Sequence, residues 1–167
     1  MVKVLYVCLG NICRSPLGEV TFNALVKERG LEEEFQADSA GTAGYHVGKQ
    51  ADARSQKVAQ KHGLTIDHVV RKITLEDLDE FDHIAVMDEQ NFEDLHTMYF
   101  EAKGVPPSTD KLFLIRDFDP EVRGVHEVPD PYFEGDKAFE EVFQILQRSN
   151  EKLLEHLVDK YEISAPE

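Results

Sequence analysis

Val2-Lys3-Val4-Leu5-Tyr6-Val7-Cys8-Leu9-Gly10-Asn11-Ile12-Cys13-Arg14-Ser15, followed by Pro16, is the stretch around which this chain is organised. Val2, Val4, Leu5, Tyr6 and Val7 form an apolar run without alternation, the pattern of a strand buried on both faces. Cys8 to Arg14 then read as a tight turn bearing one glycine. Ser15 is a good N-cap, and Pro16 suits the first position of a helix. Strand, turn and helix start together gather backbone N–H groups around an anion. The letters are not those of GxxxxGK[ST], because no lysine follows and a cysteine opens the loop.

Inward-facing amides and a nearby helix N-terminus would stabilise a thiolate at Cys8. Arg14 offers a planar fork able to hold two phosphate oxygens, where a lysine would act only as a point charge. Leu9, Gly10, Asn11, Ile12 and Cys13 complete the bowl between them. Asn11 tolerates left-handed backbone and suits the turn. Ser15 is placed to donate to the Cys8 sulfur when that sulfur leaves. A thiolate on the floor of such a bowl can attack phosphorus in line, giving phosphoryl transfer through a phosphocysteine. Two plainer readings compete: inert, packed cysteines, or a C-x4-C metal pair. Zinc needs more ligands, and the chain has no further cysteine.

Length and composition set the frame. The 167 residues suffice for one well-filled core and are few for two domains. Hydrophobic content of 41% fits a soluble globular chain, and no apolar run reaches the length of a membrane helix. The chain runs from Met1 straight into a strand without a signal-like segment, so the two cysteines read as free thiols in a reducing, cytoplasmic setting. A formal charge of −15 argues against nucleic acid and anionic membranes as partners. It also sits oddly with an anionic substrate. Amides and one arginine at contact distance nevertheless outweigh a diffuse field screened within about 8–10 Å. Glu32-Glu33-Glu34, Glu76-Asp77 and Asp79-Glu80 read as solvated faces with no site attached.

Apolar spacing from Leu17 to Leu25 predicts a first helix closed by Arg29-Gly30. Phe35, Ala37 and Ser39 predict a second strand leading into a glycine-rich loop that carries Tyr45 and His46. Asp52 is expected to cap a helix ending near Lys61-His62-Gly63, and Thr74 to Asp77 a variant capping box. His83–Met87 and Leu112–Ile115 predict strands three and four, with Asp88 capping the helix between them. Residues 116–135 read as a long irregular loop of the kind that tends to be functional. A final helix carries the stripe Phe139, Val142, Phe143, Leu146, Leu153, Leu157 and Val158. The expected fold is α/β: a single-domain, doubly wound, four-stranded parallel sheet with helices on both faces. In such a sheet the loops after every strand share one edge. Cys8, Ser39, Asp88 and a carboxylate of the last loop can therefore meet.

Expelling an aryl oxygen needs a proton donor, and the returning water needs a base; one carboxyl can do both. Asp130, stiffened by Pro129 and Pro131, is a candidate, and Asp119 before Pro120 competes with it on chemistry alone.

Val7-Cys8-Leu9-Gly10-Asn11-Ile12-Cys13-Arg14-Ser15-Pro16 and Asp130-Pro131-Tyr132-Phe133 resemble the two end motifs of the low-molecular-weight protein tyrosine phosphatases. Asp38-Ser39-Ala40-Gly41-Thr42, His68 with Arg71, and Met87-Asp88 with Asn91 are weaker matches between them, so the likeness spans nearly the whole chain. The resemblance implies Cys8, Arg14 and Asp130 as catalytic groups, with Asp130 preferred over Asp119. It implies Ser39, His68 and Asp88 as supporting residues, and Tyr45, Tyr132 and Phe133 as cleft walls. It implies chemistry without metal or cofactor on phosphotyrosine proteins, with inorganic phosphate and related oxyanions as inhibitors. Related arsenate reductases need further cysteines, and related arginine phosphatases carry threonine where this chain has Ile12. A non-catalytic phosphotyrosine-binding module is a third alternative. Cys13 reads either as packing or as a redox partner for Cys8, since the curled loop could meet the approximately 4.4–6.8 Å Cα separation of a disulfide.

Overall fold

The computed structural model describes residues 1–164. Its core is a four-stranded parallel sheet of order β2-β1-β3-β4, made of β1 (Val2–Cys8), β2 (Phe35–Gly41), β3 (His83–Val86) and β4 (Leu112–Leu114). Strand β1 is central, with Val4 opposite Ala37 on one side and His83 on the other. That position explains its unbroken apolar run. Val4 and Tyr6 pack with α1 (Arg14–Glu28), α2 (Ala53–Lys61) and α5 (Asp136–Lys160). Leu5 and Val7 pack on the opposite face with α3 (Asp77–Glu80) and α4 (Glu89–Lys103). The doubly wound α/β expectation is met. No helix of the described residues is long and apolar enough to cross a membrane.

Most helix ends follow their local signals. The Asp52 carboxylate accepts the Arg54 N–H at 2.8 Å and caps α2. Asp88 and Asn91 form a reciprocal capping box at α4, which Gly104 ends in left-handed conformation at φ 74°. Thr74 and Asp77 exchange side-chain-to-backbone bonds of 2.8 and 3.3 Å.

Three expectations need correction. Ser15 is not the N-cap: the helix already starts at Arg14, Cys13 holds the cap position, and no side chain bonds there. The Ser15 hydroxyl is fully buried and turned to other partners. The fourth strand is shorter than its apolar letters, because Ile115–Phe118 curls into a 3-10 helix whose Ile115 is buried outside the sheet. Asp77, taken for part of a solvated acidic face, is buried beneath the Arg71 guanidinium at 2.8 Å.

Helix α1 lies very close to β1, and Gly18 makes this possible. A Cβ there would stand 2.6 Å from Tyr6 Cδ1. The buried Tyr6 hydroxyl donates to Asn150 Oδ1, while Asn150 Nδ2 donates to Gly18 O and Thr21 Oγ1 at 3.1 and 2.8 Å. Strand β1, α1 and α5 are thereby pinned at one point, directly behind the Cys8 loop. We expect Gly18→Ala to lose about 1–3 kcal/mol of stability through overpacking. Urea unfolding checks it, and an unchanged midpoint would mean that the helix can shift freely.

Candidate active site

The end of β1 places Cys8 at the shared edge of the sheet, with its Sγ 3.0 Å from Ser15 Oγ. The loop between them turns on Asn11, which is fully buried at φ 57°. Asn11 Nδ2 donates to Ser15 Oγ at 2.8 Å and Ser39 Oγ at 3.1 Å. Its Oδ1 accepts the Arg71 backbone N–H at 3.0 Å and faces His68 Nε2 at 2.7 Å. The Arg71 N–H can only donate, which fixes the orientation of the carboxamide and makes His68 Nε2 a donor too.

Behind this carboxamide lies a charged support. His68 Nδ1 is 3.3 Å from Glu19 Oε1 and 3.4 Å from Asp38 Oδ1. Ser39 Oγ donates to Glu19 Oε1 at 2.7 Å, and Arg71 spans Asp38 and Asp77. Burial pushes the Glu19 carboxyl up. Burial acts the same way on Asp38, but bonds from His68, the Ser39 backbone and Arg71 outweigh it and hold that carboxyl at about 2. Glu19, Asp38 and His68 bring ligand-type atoms within 4.8 Å of one another. The carboxylate oxygens are taken up by the Ser39 hydroxyl, the Arg71 guanidinium and the His68 ring. Asp38 and Arg71 carry no role in the sequence beyond the weaker family matches, and Glu19 has no signal there.

Arg14 is buried, and its Nη1 donates to Asp88 Oδ2 at 2.9 Å and Val128 O at 3.0 Å. Nη2 stands 3.8 Å from Asp130 Oδ2. Asp88 thus caps α4 and aims the arginine with the same carboxylate. With Nη1 occupied, Nε and Nη2 remain for an oxyanion.

Cys8, Leu9, Gly10, Ile12, Cys13 and Arg14 line a cleft of about 400 Å³. Tyr45, His46, Asp130, Tyr132 and Phe133 stand around it. Tyr45 is 74% exposed and Phe133 92%, so these rings rise from the rim, Tyr45 edge-on to His46 and Phe133 edge-on to Tyr132. The Asp130 side chain is 48% exposed. Asp119 is elsewhere: buried at 3% exposure, it binds Arg116, Arg148 and the Glu121 N–H. Burial raises its carboxyl, yet those bonds prevail and hold it below the ordinary value. Its chemistry is spent on structure. Cys13 is buried beside Cys8; desolvation, with the charges of Asp52, Cys8 and Asp130, pushes its thiol up to about 12. His46, a glycine-rich-loop residue by sequence, belongs to the cleft.

A family model described as low molecular weight phosphotyrosine protein phosphatase matches residues 3–162. The chain is 41% identical over 153 residues to the human low molecular weight phosphotyrosine protein phosphatase, covering 92% of this chain and 94% of that one. A protein tyrosine phosphatase structure from Entamoeba histolytica, with Hepes in its active site, superposes with a TM-score of 0.87. The identity is 37%, over 96% of this chain and 99% of that one. A Drosophila arginine phosphatase structure gives a TM-score of 0.84 at 33% identity, covering 93% and 98%.

The depressed carboxyl of Asp38 has a consequence for pH. Its unfolded value is about 3.9 and its folded value about 2, so its stabilising contribution is complete above about pH 4. That contribution is lost as pH falls toward 2. Asp38→Asn should be less stable than the native chain at pH 7, and the gap should narrow between about pH 4 and 2. Urea unfolding across this range checks the sign; a gap that widens on acidification would refute it.

Proposed function

The chain belongs to the low molecular weight phosphotyrosine protein phosphatase family, and on that premise we propose that it hydrolyses phosphotyrosine in proteins through a phosphocysteine on Cys8. The observation that carries this reading is one cleft lined together by Cys8, Arg14 and Asp130. In this scheme the Cys8 thiolate attacks phosphorus while Nε and Nη2 of Arg14 and the loop amides hold the equatorial oxygens. The bond from phosphorus to the tyrosyl oxygen breaks, and Asp130 gives its proton to that oxygen. Water then attacks the phosphocysteine, returning a proton to Asp130, and the sulfur leaves as a thiolate stabilised by the Ser15 hydroxyl. Asn11, Ser39, His68 and Asp88 keep the loop and the arginine in place. Residues 1–167 act as one catalytic domain, and inorganic phosphate or related oxyanions compete for the bowl. The scheme uses no metal or cofactor.

The arginine phosphatase neighbour raises a second reading, a phosphoguanidine substrate. The lining favours the aryl ester. Ile12 is apolar, the walls are aromatic, and Asp130 is the one carboxylate among the lining residues. A phenyl ring stacks on such walls; a phosphoguanidine would stack as well, but Ile12 offers its N–H groups no acceptor.

Cys8→Ser should lose about 10³-fold or more in turnover while still binding phosphate, because the amides and Arg14 remain. Asp130→Ala should slow poor aryl leaving groups by about 10²–10⁴-fold and good ones far less, steepening the dependence on leaving-group pKa. Substantial turnover in Cys8→Ser, or a larger effect from Asp119→Ala, would sink the scheme. Phosphotyrosine peptides should be better substrates than phosphoarginine or phosphoserine peptides, measured side by side as phosphate release.

Cys13 is proposed as a protective thiol. Peroxide converts the Cys8 thiolate to a sulfenic acid; Cys13 attacks that sulfur, water leaves and a disulfide forms. Oxidation also removes the Cys8 charge, one of the causes that raise Cys13. Peroxide inactivation should therefore be reversed by thiols in the native chain and become irreversible in Cys13→Ser. Equal rescue of both would leave Cys13 as packing only.

A further inference from the structure

We propose that Arg54 is a positioning residue for the general acid, clamping the loop that carries Asp130 onto the loop that carries Cys8. The proposal rests on the assignment of Asp130 as that acid. Arg54 stands at the start of α2, and this end of the helix is tied to the phosphate loop. The Asp52 N–H donates to Ile12 O at 2.8 Å, and Ser55 Oγ donates to Cys13 O at 3.3 Å. From this anchored base the guanidinium, one-third exposed, meets four partners. Nε and Nη2 donate to the two Asp52 carboxylate oxygens, each at 3.0 Å, a bidentate pairing that keeps Asp52 charged and the fork in one plane. Nη1 donates to Glu134 O at 3.1 Å. The Cζ atom lies 4.5 Å from the Phe139 ring centroid and 5.5 Å from that of Tyr132.

Glu134 and Tyr132 belong to the acid loop itself. That loop leaves the sheet edge at Val128, whose N–H donates to Met87 O at 2.8 Å, and does not rejoin regular structure until α5. Between those points Asp130 is half exposed, and its Oδ1 accepts the Tyr132 N–H at 3.1 Å. The acid therefore takes its position from Tyr132 and its neighbours, and these lean on Arg54. An acid must come within about 3 Å of the leaving oxygen, and misplacement by about 1 Å can cost 10²-fold. Lysine would keep a charge beside Asp52 but lose the fork and the flat face against two rings.

The test uses a series of aryl phosphates graded by leaving-group pKa, with kcat/KM measured for the native chain, Arg54→Ala, Arg54→Lys, Asp130→Ala and the double variant Arg54→Ala/Asp130→Ala. Arg54→Ala should steepen the slope on leaving-group pKa and lose about tenfold on the poorest leaving group. Inhibition by inorganic phosphate should stay within about twofold, since the bowl and Arg14 remain. Arg54→Lys should lie between Arg54→Ala and the native chain. Added to Asp130→Ala, the Arg54 change should leave the slope where Asp130→Ala put it. A native slope in Arg54→Ala, or in the double variant a slope steeper than that of Asp130→Ala, would overturn the clamp alone. A native slope in Asp130→Ala would overturn the acid assignment itself. Should Arg54→Ala fail to fold, the slopes of Arg54→Lys and Arg54→Gln carry the same comparison.

Discussion

The loop from Cys8 to Arg14 depends on one buried carboxamide. Asn11 holds a left-handed backbone, which costs an asparagine less than most residues but is still unfavourable, and no solvent reaches its side chain. Four hydrogen bonds, to Ser15, Ser39, His68 and the Arg71 backbone, offset both costs. These partners lie in α1, near the C-terminal end of β2 and in the chain beyond α2, so three segments hold the loop's shape. Removing any one bond leaves a buried polar group unpaired, at a cost of about 1–3 kcal/mol. That makes the network cooperative, and it extends outward through His68 to Glu19 and Asp38, and through Arg71 to Asp77.

The acidity of the chain is compatible with this site because many carboxylates nearby are already committed. Asp88 aims Arg14, Asp52 binds Arg54, and Asp38 and Asp77 share Arg71. Asp130 remains half exposed and faces Arg14 across 3.8 Å. The charge that surrounds an incoming anion is thus set by pairing at contact distance. The net charge of −15 describes the solvated surface, where salt screens it.

Caps, turns and core stripes were legible wherever a short-range rule governs them. Asp52, Asp88, Thr74 with Asp77, and Gly104 obey local hydrogen-bond and backbone preferences that a few neighbouring residues decide. Ser15 misled for the same reason. A serine before proline satisfies the local cap rule, yet here its hydroxyl meets Cys8 Sγ and Asn11 Nδ2 instead. Asp77 and Asp119 carried no local mark of burial. Their arginines come from residues six and twenty-nine positions away, with Arg116 closer by.

The amino-acid order was enough for the parallel α/β arrangement, the position of the bowl after the first strand, and the residues Cys8, Arg14 and Asn11 within it. Those features follow from periodicity, turn chemistry and spacing inside one short stretch. Tertiary structure decided what each of the two carboxylates does: Asp130, already preferred by the family resemblance, stands half exposed at the cleft, and Asp119 is buried among arginines. It also decided that Glu19, Asp38 and His68 converge behind Asn11, and that Arg54 bridges two loops. The physical reason is that a charged side chain's role depends on its partners' distance and burial, and strand pairing and helix packing bring those partners from remote parts of the chain.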